Sequence, residues 1–114
     1  MTSSFIRAAG AAAFIFVVTD AARADDDLTT YAITLKDHHF TPAEIHVPSG
    51  KPFIVVVTNA DPAAEEFEML LPPLERIVRP GEQGKVKIRP LAPGRFPFFG
   101  ENDPDSERGA FVSE

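Results

Sequence analysis

Cysteine is missing from all 114 residues. Its absence removes a thiolate metal ligand, a thiol nucleophile and a disulfide staple, so hydrophobic packing alone must hold the fold. Basic residues are scarce, 11 Lys and Arg against 17 Asp and Glu, for a formal net charge of −6. Nucleic acid and anionic lipid both demand a basic face, and this balance argues against either as a partner. A long apolar run is lacking too. The longest, Ala8 to Val18, covers eleven residues, where a membrane-spanning helix needs about 20.

That short run has a different reading. Arg7 precedes it, and Ala22-Arg23-Ala24 follows it before three aspartates. A charged start, a short apolar centre and an A-x-A site describe a secretory signal over residues 1–24, cleaved after Ala24. The expected mature domain is then 25–114, placed in the periplasm, with no membrane insertion after cleavage. Removal of Arg7, Arg23 and Asp20 leaves nine basic and sixteen acidic residues, a net charge of −7. Ninety residues suffice for one small core.

No sustained helical period and no internal repeat is visible after Ala24. Instead, apolar and polar residues alternate in short runs: Tyr31, Ile33 and Leu35; Ile45 and Val47; Phe67 and Met69; Val86 and Ile88; Phe96 and Phe98. Such alternation predicts half-buried strands. Phe53 to Val57 is continuously apolar and rich in β-branched residues, as expected for a central strand with both faces covered. Eleven prolines fall almost entirely between these runs, with turn signals every eight to twelve residues or so. The expectation is an all-β sandwich or barrel.

Chemistry-bearing residues gather in three places. Glu66 and Glu68 sit two apart on a strand, so both carboxylates leave one face with Cα atoms roughly 6 to 7 Å apart. That spacing suits a hard cation, and equally a solvated polar face. Glu65 has the opposite parity and joins them only across a bulge. The loop Glu101 to Glu107 carries an acid at every second position, offering Glu101 and Asp103 as further oxygen donors or serving as a charged surface turn. Its partial match to a calcium-loop spacing fails on Gly109, Pro104 and the lack of flanking helices. His46 alternates with Ile45 and Val47 on the outward side. Phe99 is expected to face outward beside Glu101, as a docking contact or a residue covered by a loop. No catalytic serine, phosphate-binding glycine loop or metalloprotease helix is present, so a non-enzymatic role is expected.

The order F-T-P-A-E-I-H-V-P-S-G-K-P-F from Phe40, T-N-A-D from Thr58 and P-G-R-F-P-F-F from Pro93 resembles the cupredoxin superfamily. The E-E-F-E-M run at Glu65 and G-R-F-P-F-F-G-E at Gly94 look like its EfeO-type branch, associated with periplasmic iron uptake. The resemblance implies a cupredoxin-like Greek-key β-sandwich and a metal ion at the loop end. It sets Gly100 where a blue-copper site has its cysteine and Glu65 near the place of the first histidine, while residues 101–108 hold no His or Met. Blue-copper electron transfer is therefore excluded by ligand chemistry. The resemblance implies instead an iron or copper ion on carboxylates, with Glu66 and Glu68 primary, Glu65, Glu101 and Asp103 beside them, and His38 as an imidazole donor; His39 is left in solvent. A membrane iron permease is the implied partner. The alternative is a metal-free sandwich that docks an envelope partner through Phe99 and the acidic loop.

Overall fold

The computed structural model describes residues 27–114, and the signal segment read over residues 1–24 lies outside them. Among the described residues there are nine strands and no helix. They are β1 (Thr30–Lys36), β2 (His39–Thr41), β3 (Glu44–Val47), β4 (Phe53–Asn59), β5 (Glu65–Leu70), β6 (Pro73–Val78), β7 (Gln83–Ile88), β8 (Gly94–Gly100) and β9 (Arg108–Ser113). Each run of alternating apolar residues becomes a strand.

The strands form two sheets, β2-β1-β4-β7 and β3-β9-β8-β5-β6, packed as the expected cupredoxin-like Greek-key sandwich. β1 runs parallel to β4 and β3 parallel to β9; the other pairs are antiparallel. Alternation decides which side chains enter the core. Ile33 and Leu35 of β1, Phe53, Val55 and Val57 of β4, Phe67 and Met69 of β5, and Phe98 of β8 all point inward and are buried. At the centre, Phe98 lies 5.4 Å from Phe40, 5.3 Å from Phe67 and 5.0 Å from Phe111 between ring centroids. Each such pair adds about 0.5 to 1.5 kcal/mol beyond the area it buries.

β2 and β6 lie outside the alternating runs. His39 belongs to β2, a three-residue strand with Phe40 as its inward side chain. β6 runs from Pro73 to Val78 with Ile77 exposed. The cause is register: β6 pairs with β5 over its whole length, Glu65 with Val78 through Leu70 with Pro73. Pairing with a well-patterned neighbour makes strand of a segment whose own alternation is weak.

Candidate metal centre

β5 sorts its three glutamates by parity. The ladder to β6 runs without a bulge, so Glu65 points inward with Phe67 while Glu66 and Glu68 point outward. The carboxylates expected in one site therefore occupy two places, on opposite sides of the five-stranded sheet.

On the outer face, Glu75 of β6 sits directly across from Glu68. One carboxylate oxygen from each of Glu66, Glu68 and Glu75 lies within 4.8 Å of the others. Glu101 follows β8 and is held there by its N–H, which donates to the Glu66 carbonyl at 3.1 Å. Its carboxylate reaches that of Glu68 and, with partial desolvation, pushes the Glu68 carboxyl up to about 7. Glu66 is raised as well, by desolvation first and then by Glu75. One Glu68 oxygen, Oε2, is shielded from solvent and has no hydrogen-bond partner.

The inner cluster is built around Gly100. Glu65, 2% exposed, approaches it from β5, and Glu107, fully buried, from the loop before β9. A Cβ at position 100 would overlap the carboxyl groups of both. Only glycine leaves them room. The loop 101–107 is folded onto these two side chains: the Asn102 N–H donates to Glu65 Oε1 at 3.2 Å, and the Asp103 N–H donates to Glu107 Oε1 at 3.2 Å. The Glu107 N–H closes the turn on the Asp103 carbonyl at 2.7 Å. Desolvation, then the adjoining Glu107 carboxyl, pushes Glu65 up to about 7. Glu65 Oε2 is buried with no hydrogen-bond partner. Leaving such an oxygen unsatisfied costs about 1 to 3 kcal/mol.

His38 completes this cluster from the other sheet. Its Nδ1 lies 2.5 Å from Glu107 Oε2, and this bond raises the imidazole pKa above its ordinary value. The ring is placed by an unusual turn. Asp37 and His38 both hold positive φ, 51° and 61°, in the left-handed region that non-glycine residues rarely occupy. Asp61 fixes them there: its Oδ1 accepts the Asp37 N–H at 2.6 Å and its Oδ2 the His38 N–H at 3.0 Å. Asn59, buried at the end of β4, holds Asp61 in turn by accepting its N–H at 2.9 Å. A chain of polar contacts thus runs from β4 through the turn to Glu107.

The remaining candidates fall outside both clusters. Asp103 is half-buried; its N–H donates to Glu107, and its carboxylate acts on His38 only through space. His39 turns back to the Asp37 carbonyl, and His46 is exposed between Glu44 and Glu114. Phe99 faces outward, half-buried, in a shallow groove with Leu70, Leu71, Pro97 and Pro104.

These features meet in a known fold. A family model described as a cupredoxin-like domain matches residues 8–112. The chain belongs to that family. The uncharacterized protein RP394 of Rickettsia prowazekii (strain Madrid E) is 33% identical over 90 residues, covering 79% of this chain and 72% of that protein. Among solved structures, the metal binding domain of the Streptococcus pneumoniae D39 Cu(I) exporting P-type ATPase CopA is similar at a TM-score of 0.67 and 17% identity, over 75% of this chain and 84% of that one. Auracyanin A, a blue copper protein of Chloroflexus aurantiacus, is similar at 0.66 and 13%, over 75% and 98%. These likenesses establish the cupredoxin-like fold. A blue-copper ion does not fit the residues present, because no cysteine exists to supply the thiolate and the space over Gly100 is filled by two carboxyl groups. The donors in both clusters of this family member are carboxylate oxygens, with one imidazole.

Proposed function

We propose that this cupredoxin-like protein is an exported carrier of a hard metal cation, ferric or ferrous iron first among them, serving a membrane permease. The observation that carries the reading is the outer-face cluster of Glu66, Glu68, Glu75 and Glu101. Three of its carboxylates converge within 4.8 Å, and carboxylates raise one another's pKa there. Like charges held together at a folding cost are a preformed demand for a cation. The all-oxygen donor set favours hard ions over soft copper. Its position on a strand face open to solvent suits an ion that must be received and released. The resemblance of E-E-F-E-M and G-R-F-P-F-F-G-E to the EfeO type supports iron as the cargo and the periplasm as the place.

Calorimetric titration of the purified protein with Fe(III) citrate, Mn²⁺ and Cu²⁺ tests the reading. The Glu66→Ala, Glu68→Ala double variant is expected to lose at least tenfold in affinity at this site while melting as the parent does. Binding unchanged in that variant would sink the assignment.

The groove beside the cluster supports a second reading, a metal-free docking module. Leu70 is 77% exposed and Leu71 69%, large values for leucine, and both border Phe99. Under it, Phe99→Ala would weaken capture of an envelope partner while metal binding stays at background.

A further inference from the structure

We propose that this protein forms a two-fold symmetric dimer in which the β5–β6 hairpin tip of each copy, Leu70 and Leu71, seats in the groove beside Phe99 of the other. The contact uses none of the four outer-face carboxylates and does not depend on the cation reading. Its first support is where the apolar side chains are left uncovered. Leu70, Leu71 and Ile77 are the exposed large hydrophobics among the described residues, and two of the three stand side by side, 77% and 69% exposed. Leu70 pairs with Pro73 at the end of the β5–β6 ladder, so Leu71 and Pro72 form the tip itself. Single leucines scattered on a surface need no explanation, but two adjacent ones beside an apolar groove mark a contact site.

The groove is the second support. β8 lies between β5 and β9 in the sheet, so Pro97 and Phe99 make a floor with Leu70 and Leu71 on one side and Asp105 and Arg108 on the other. Its volume of about 430 Å³ is ample for the two leucines of another tip. A surface that carries both the knob and the hole is self-complementary, and one two-fold rotation fills both grooves at once. A head-to-tail arrangement would leave one tip and one groove open at the ends.

Charge supplies the third support. Asp105 and Arg108 are exposed at the groove, and neither side chain has an ion-pair partner among the described residues. Under the two-fold, the Asp105 of each copy meets the Arg108 of the other, and an unpaired anion and cation become two cross-dimer pairs. A lipid surface fits less well. Glu68 stands beside Phe99 across the β5–β8 ladder and Asp105 lines the groove, and these acids repel anionic headgroups. Pro72 and Pro73 offer no N–H for strand addition at the tip, so the contact is made by side chains. A patch of this extent supports a weak association, at the small and transient end of interfaces.

Sedimentation of the purified protein between about 5 and 500 µM, in about 0.15 M salt to screen the repulsion between two acidic chains, tests the proposal. The mean mass is expected to rise with concentration toward that of a dimer. Leu70→Gln, Leu71→Gln, a change at two exposed side chains that adds no charge, should melt within a few degrees of the parent and weaken self-association at least tenfold, while Mn²⁺ titrates as in the parent. Asp105→Arg and Arg108→Asp should each weaken the dimer, and the two together should restore it. The proposal is overturned if the parent stays monomeric to the highest concentration, if the leucine variant dimerises as the parent does, or if the double charge reversal is no better than either single one. A dimer lost in the leucine variant, with no Mn²⁺ bound by either protein, would uphold the interface and reject the cation reading.

Discussion

Gly100 shows how one missing side chain creates the chemistry of a region. Its N–H donates to the Glu107 carbonyl at 2.7 Å, and the volume a Cβ would fill is taken by two acid groups. Gly100→Ala must displace one of them or the strand. The expected cost is about 1 to 3 kcal/mol, the range for forcing a methyl into a packed site, read as a lower midpoint in urea with an unchanged slope. Glu65→Gln makes the opposite case. Its amide would donate toward Glu107 and remove the need for a proton, so the variant should match or exceed the parent in stability at pH 8. The identity of these residues was legible in the sequence, but their convergence was not. Glu107 lies in a loop, where alternation says nothing about direction, and only the turn closed by Asp103 aims it inward. Asp61 was hidden for the same reason, being one polar residue among several in the turn after β4.

At the scale of elements, the period of two carried most of the information. β1, β3, β5, β7 and β8 follow the alternation of their residues and β4 its continuous apolar run, and the outward pairing of Glu66 with Glu68 and inward turn of Glu65 follow from parity once no bulge intervenes. What alternation cannot supply is the neighbour across a ladder. Glu75 faces Glu68 because β5 and β6 pair in one register, and nothing in P-L-E-R-I-V announces that register. The 37–38 turn is likewise a product of two elements, since Asp61 after β4 holds a bend after β1. Asp61→Ala would leave two N–H groups without acceptors and two residues in the left-handed region without support. A loss on the order of 2 kcal/mol is expected, and the His38 resonances should move toward those of an imidazole free of Glu107. An unchanged His38 environment in that variant would show that the turn holds itself.

Among the described residues, the displaced titrations above pH 4.5 point one way. Glu65 and Glu68, pushed up to about 7, and Glu66, also raised, bind protons in the folded state that the unfolded chain has released above its ordinary carboxylate range near 4.5. Their contribution to stability therefore falls as pH rises from about 4.5 to 7. His38 and His46 are raised above 6.5 by Glu107 and by Glu114, so what they add is present below 6.5 and disappears as pH climbs through their folded values. Glu44, lowered chiefly by Arg95, acts in the opposite sense, but its window lies below 4.5. The metal-free protein should accordingly melt lower at pH 8 than at pH 5, by on the order of 5 °C for a domain of this size. This is the reverse of the acid sensitivity that salt-bridged carboxylates confer. A cation that binds only the folded state raises the midpoint with its concentration, and most at pH 8, where the carboxylates are free of protons. Differential scanning calorimetry of chelator-treated protein from pH 5 to 8, with and without Mn²⁺, reads both effects. A midpoint that rises with pH in the metal-free protein would mean that the acid clusters are already neutralised by charges elsewhere in the chain, and the case for cation binding would lose its physical basis.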